Sequence, residues 1–292
     1  MALVFAAIAP HGGLAIAEAC APEERDLAVV TQVGMRELGK LFAAARPQAV
    51  VVATPHNVHI AGALGVVIAG RVAGSLAGAP SVALDVPGNV TLSWRLLESL
   101  LTCGLPAVGV SFGANDPASS VAPMDWGVLI PLWFMGGRYV PPLPLVVITP
   151  ARDLSAADHV QAGTVIAAAA AASGLRVAFI ASADHGHAHD PEGPYGYHPD
   201  ARTYDELIVE LVRDDRLDRL TEIPIELVER AKADSWWQML ILHGATASGW
   251  RGRLISYEAP TYFGMLTAAY EPVSRGSASP RRTRTPRRTP VR

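Results

Sequence analysis

The sequence predicts an α/β fold in three layers, a mostly buried central sheet with helices on both faces. Three observations carry this expectation. Short β-branched and apolar runs alternate with longer segments of helical period, the pattern of strands covered by helices. Several of the short runs, such as VVVA at 50–53, are apolar without interruption, as interior strands are. A chain of 292 residues, 50% hydrophobic and 17% charged, can also fill one sizeable core.

The elements follow in order. Leu3 to Ile8 reads as a buried first strand: the apolar start lacks the basic region of a leader, and Pro10, Gly12 and Gly13 break it into a glycine loop. Further strands are expected at Ala49 to Ala53, Gly65 to Ala69, Ala107 to Val110, Pro144 to Ile148, Val177 to Ala181 and Leu254 to Tyr257. Helical period marks Glu23 to Ala45, Val90 to Leu101, Ala156 to Ala172, Ala201 to Arg213, Pro224 to Lys232 and Ser235 to Ala247. Asp153, Leu154 and Ser155 supply a start signal for the third of these helices. The apolar segment SYEAPTYFGMLTAAY is expected to bury against the body, with a second subunit as the alternative, which leaves a homo-oligomer open. No stretch offers the ~20 uninterrupted apolar residues of a membrane span.

Charge divides the chain. The 21 residues after Glu271 contain seven Arg and no acid, which leaves 17 Lys and Arg against 27 Asp and Glu in the body, a net of −10. An acidic body is a poor nucleic-acid binder through its folded surface. Residues 1–271 are therefore expected to form a single domain, and 272–292 a disordered Arg/Pro/Ser/Thr-rich tail that cannot bury enough apolar surface to order itself. Two cysteines, Cys20 and Cys103, give no disulfide framework and read as ordinary half-buried thiols of a reduced, cytoplasmic protein.

Chemistry is concentrated where histidines meet strand ends. His11 follows the first strand in IAPHGG, His56 follows the second in VVVATPHNVHI, and VAFIASAD runs directly into SADHGHAHD with Asp184, His185, His187 and His189. Open α/β sheets bind their ligands beyond the carboxyl ends of strands, so these groups are expected to converge on one buried metal site. Imidazole with carboxylate suits Zn, Fe, Mn or Ni, and the spacing does not choose among them. His59 and His198 read as loop histidines bonded to backbone, with His59 kept as a possible pocket residue.

These segments, together with PMDWGVLIPL and the late DSWWQMLILHGA helix, resemble the class III extradiol ring-cleavage dioxygenases, the family of the protocatechuate 4,5-dioxygenase β subunit. The resemblance spans nearly the whole body. It implies Fe(II) as cofactor, held by His11, His56 and a late carboxylate, with His187 as acid and base, and a small aromatic substrate and O₂ as partners. Asp234, immediately before SWWQMLILHGA, stands where the family has a Glu; Glu229 is the alternative ligand, and a helix cap is the alternative role for Asp234. Many members carry Asp-His-Gly where this chain has Asp125-Trp126-Gly127. Trp126 cannot shuttle a proton, but it can wall a pocket or stack on a ring. Asp184, His185 and His189 are expected around the ligands, and Tyr195, with Tyr197 and His198, on a loop that could close over the ring. Two other functions fit the same histidines: a Zn-dependent hydrolase using metal-bound water, and a non-catalytic binding protein on the same scaffold.

Overall fold

The computed structural model describes residues 3–273. In chain order the elements are β1 (Leu3–Ala9), α1 (Val29–Ala45), β2 (Ala49–Ala53), β3 (Leu64–Val67), β4 (Arg71–Leu76), β5 (Ala79–Pro87), α2 (Val90–Thr102), β6 (Ala107–Val110), β7 (Val121–Pro123) and α3 (Trp126–Phe134). There follow β8 (Leu145–Thr149), α4 (Ala156–Ala172), β9 (Val177–Ser182), α5 (Pro199–Arg213), α6 (Ile225–Arg230), α7 (Trp236–Ala245), β10 (Trp250–Glu258) and β11 (Met265–Pro272).

Eight strands form one mixed sheet in the order β10-β11-β1-β9-β2-β8-β3-β6. Its centre, β1-β9-β2-β8, is parallel. Period-2 alternation decides which side chains serve which layer. On β9, Val177, Phe179 and Ala181 face the core under α2, α4, α5, α6 and α7, while Ala178 and Ile180 face α1, α3 and the small sheet. β2 splits the same way, with Ala49, Val51 and Ala53 against Val50 and Val52. Both faces are covered, which is why these strands are apolar up to their carboxyl ends, where β9 closes on Ser182 and β8 on Thr149.

Register brings the functional edge into line. Ala9 of β1 pairs with Ser182 of β9, and Ala53 of β2 pairs with Ala181, so three adjacent parallel strands end at one level. The residues that follow them, His11, Asp184 and His56, start from neighbouring points on that edge. Helix α7, whose preceding turn carries Asp234, is set against α4 by close backbone contact. A Cβ on Gly163 would lie 1.9 Å from the Ile241 carbonyl, and one on Gly244 would lie 1.9 Å from the Val160 carbonyl. Only glycine permits that approach.

Several expectations change in detail. The first helix begins at Val29 rather than Glu23, because a distant carboxylate supplies its start: Glu258 of β10 accepts the Thr31 N–H at 2.5 Å. Gln32 meanwhile holds residues 14 and 25 in turns by donating to both carbonyls. Helix α4 is capped by Ser155 with a reciprocal Asp158 bond, a capping box, while Asp153 accepts the Gly62 N–H instead. Five elements were not foreseen. The β4–β5 hairpin and β7 form a separate three-stranded sheet, α3 carries Pro131 inside an entirely apolar run, and β11 turns out to be a buried strand between β10 and β1. Of the cysteines, Cys20 is buried and Cys103 exposed, both free, so neither is half-buried. Pro272, placed in the tail by its charge pattern, is paired with Trp250 in the last ladder. The remainder of the expected tail, 274–292, lies outside the described residues. Among the described residues no helix is long and apolar enough to cross a membrane.

Candidate metal centre

His11 is buried and its imidazole is oriented by a chain of two hydrogen bonds. The Ser182 hydroxyl donates to the Gly127 carbonyl at 2.5 Å and lies 2.9 Å from His11 Nδ1. A hydroxyl has one proton, so toward His11 it can only accept; Nδ1 carries the hydrogen and Nε2 is the nitrogen turned to the site. Gly127 admits this arrangement because a Cβ there would press to 2.4 Å from Thr54 Oγ1 and 3.1 Å from His56 Cδ2.

Around His11 Nε2 three groups gather. His56 Nε2 is 3.1 Å away and Asp234 Oδ2 3.4 Å, with His56 Nε2 to Asp234 Oδ2 at 3.5 Å. Asp184 Oδ2 is also 3.5 Å from His11 Nε2, and its other oxygen accepts the His11 backbone N–H at 3.0 Å. Two donors bound to one ion at about 2.1 Å, 90–110° apart, stand ~3.0–3.4 Å from each other. The His11, His56 and Asp234 donor atoms, all within 4.8 Å of one another, fit that spacing. A further observation agrees: Asp234 Oδ1 is buried with no hydrogen-bond partner. Asp234 does not cap α7, since no backbone N–H reaches its carboxylate; the cap position is Ser235. Glu229 lies in the adjoining cleft outside this group.

The electrostatics are those of a cation site. Burial works against charge on His11, but the Asp184 and Asp234 carboxylates outweigh it and raise its pKa to about 9. A proton there occupies the place a metal would take. Burial, reinforced by the His11 charge, lowers His56 to about 4. Asp234 is also penalised by burial, yet the neighbouring His11 charge and hydrogen bond hold it at about 2. Asp184 moves the other way, with its carboxyl raised by burial.

His187 faces the same space from the loop after β9. It lines both clefts beside the triad, one of about 460 Å³ and one of about 580 Å³, as do His56, Asp234 and Tyr195. Its Nδ1 lies 2.7 Å from the His185 carbonyl, which can only accept. Nδ1 is therefore the donor, and in the neutral ring the lone pair lies on Nε2. The ring stacks on Phe263 at 5.5 Å and 15°, with Tyr195 edge-on at 5.7 Å. Trp126 leans on His56 at 4.5 Å and is 49% exposed, so it forms cleft wall.

The structure thus brings His11, His56, Asp184, His187, Asp234, Tyr195 and Trp126 together. It separates three histidines that the sequence grouped with them. His185 is fully buried behind the site, with Nδ1 3.0 Å from Ser235 Oγ, and burial lowers its pKa to about 4. His189 donates to Asp205 at 2.9 Å, and His59 is exposed on an outer loop beside Asp125 and Trp126. A bend at His187 explains the split: a regular extended segment would set residues 185, 187 and 189 on one side, and the bend turns His187 away from its neighbours. His198 caps α5 by accepting the Asp200 N–H, and Tyr197 is largely exposed. Sequence reasoning missed Ser182, Arg152 and Lys232. Arg152 was recoverable, since it follows β8, the fourth parallel strand opening on the same edge.

Comparison with known proteins identifies the family. The family model for the catalytic LigB subunit of aromatic ring-opening dioxygenase matches residues 5–266. Protein CA_C1420 of Clostridium acetobutylicum is 24% identical over 253 residues, 85% of this chain and 53% of that protein, so the chain spans about half the length of this curated relative. In fold, the chain is similar to the crystal structure of uncharacterized protein JW3007 from Escherichia coli K12, with a TM-score of 0.55, 19% identity, and 91% of this chain and 99% of that one covered. With its family model matched from the first strand to the last, the chain belongs to the LigB family of aromatic ring-opening dioxygenase catalytic subunits.

Proposed function

We propose that this chain is a non-haem Fe(II)-dependent extradiol dioxygenase that opens a catechol- or aminophenol-type ring with O₂. One observation carries the reading: two neutral-capable imidazoles and one carboxylate meet within 4.8 Å at the edge of a cleft that His187 also lines. Two His and one carboxylate leaving open positions is the ligand set of non-haem Fe(II) oxygenases. His11, His56 and Asp234 would hold the ion. When bound, Fe(II) supplies the redox contact between ring and O₂ that closed-shell protein groups lack.

The chain's own residues do the rest. Ser182 and Gly127 fix His11 with Nε2 inward. His187, with Nδ1–H committed to the His185 carbonyl, offers Nε2 as base for a substrate hydroxyl and later returns that proton. Phe263, Tyr195, Tyr262 and Trp126 wall the cleft and keep water from the ring. Asp184 holds the His11 backbone in place.

The reading is tested by anaerobic Fe(II) reconstitution followed by a panel of catechols, aminophenols and gallate, with oxygen uptake as readout. Iron-dependent uptake with a ring-opened chromophore is expected. An enzyme active with Zn and indifferent to Fe(II) and O₂ would instead be a hydrolase.

A further inference from the structure

Helix α5 carries a buried carboxylate that the chemistry described so far does not use. Asp205 is 1% exposed and has no Lys or Arg partner among the described residues. It accepts three hydrogen bonds instead: Oδ1 takes the Gly186 N–H at 2.7 Å, and Oδ2 takes His189 Nε2 at 2.9 Å and the Tyr257 hydroxyl at 2.6 Å. A carboxylate is costly to bury, and three donors are what offsets the cost.

What matters is where those donors sit. Gly186 and His189 bracket His187 in sequence, so both sides of its short segment are tied to one carboxylate. Asp205 also lies against Gly264, where a Cβ would come within 1.9 Å of Oδ2. Gly264 follows Tyr262 and Phe263, the rings packed on His187. Its N–H donates to the Gly186 carbonyl at 3.1 Å, and its carbonyl accepts the His185 N–H at 2.8 Å. The preceding residue, Tyr204, places its hydroxyl 2.8 Å from Ser235 Oγ, beside Asp234. Consecutive residues of α5 thus brace the segment of the proton carrier and the turn of the carboxylate ligand.

We propose that Asp205 is the positioning residue for His187, clamping residues 186–189 against the Gly264 turn so that the His187 imidazole keeps one tautomer and one direction. The proposal rests on His187 being the proton carrier. The Tyr257 phenol, raised in pKa by burial and by Asp205, remains a donor throughout.

The test uses the full chain, loaded with Zn(II) for nitrogen NMR of ¹⁵N-histidine and with Fe(II) for turnover. In the wild type, His187 should show one protonated and one bare nitrogen. In Asp205→Asn the two signals should move toward each other as tautomers exchange, with metal content unchanged, kcat reduced about a hundredfold and KM little altered. Tyr257→Phe removes a single donor and should give a smaller change of the same kind; it decides the matter if Asp205→Asn does not fold. An unchanged His187 signature overturns the proposal, as does a change seen only with loss of metal and of the folded state. If the wild type opens no ring, the dioxygenase reading fails, and the nitrogen signals alone still judge Asp205.

Discussion

At the scale of single residues, the groups at the centre have distinct neighbours and distinct roles, so each role can be tested separately. His11→Ala or His56→Ala should abolish stoichiometric metal binding, read by metal analysis of the purified protein. His187→Gln should keep the metal and lose about 10²–10⁴-fold in kcat, the usual worth of a positioned acid or base. Ser182→Ala removes the acceptor that fixes the His11 tautomer and should weaken metal affinity about 10–100-fold. The pH dependence has a defined sign. Because His11 has a pKa of about 9 and His56 about 4, an ion entering at pH 7.5 displaces one proton, from His11. Affinity should therefore fall about tenfold per pH unit as pH drops below 9. Calorimetry in buffers of different ionisation enthalpy should report about one proton released per ion, and no release would contradict the assigned electrostatics. Much of this was legible in the sequence, since a histidine two or three residues past an apolar strand, as His11 and His56 are, has few places to go. His185 and His189 were grouped with His187 because a spacing of two puts rings on one side of a regular extended segment, and the bend at His187 that breaks this regularity leaves no mark in the spacing. Ser182 was illegible because its value lies in joining two distant groups, accepting from His11 and donating to Gly127.

At the scale of elements, long uninterrupted apolar strands and well-spaced helices were read nearly to the residue, β2, β6 and α4 among them. The misses at α1 and β11 have a common cause: partners distant in sequence. Helix α1 is shortened because its first turn is completed by Glu258, 227 positions away. Helix α3 has no polar face to reveal a period, and β11 is stable only between β10 and β1. The α4–α7 contact offers a test at this scale. Gly163→Ala places a methyl against the Ile241 carbonyl, and should cost about 1–3 kcal/mol in chemical unfolding while displacing α7 and the Asp234 turn. Reduced metal affinity should accompany the lost stability, and loss of stability alone would show that α7 does not set Asp234. The loop between β8 and α4 and the turn after α6 bring Arg152 and Lys232 to the 460 Å³ cleft, and neither has a carboxylate partner among the described residues. Arg152 lies over the Trp237 ring at 4.9 Å. Arg152→Ala should therefore raise KM for ring substrates bearing an acidic substituent and leave KM for unsubstituted catechol unchanged, measured as paired steady-state curves.

At the scale of the whole molecule, the covered sheet and the single edge of parallel strand ends bring one candidate ion site together where β1, β2 and the α7 turn meet beside β9. An ion held by three distant segments stabilises only the folded state, so saturating metal at a hundred times its Kd should add about 2.7 kcal/mol. Chelation should lower Tm correspondingly, by several degrees in a calorimetric scan. The three-layer architecture was apparent from composition and period, whereas the second, three-stranded sheet was not: β4 and β7 are short and partly exposed, and β5, though nine residues long, contains Pro80 and Pro87. The central claim, that this scaffold joins O₂ to an aromatic ring through His11, His56, Asp234 and His187, is tested most directly by mass analysis of product made under ¹⁸O₂ by the Fe(II)-loaded protein. The account predicts both labelled oxygen atoms in a ring-opened product, with none formed by His56→Ala. An unlabelled product, or turnover that proceeds without O₂, would contradict it.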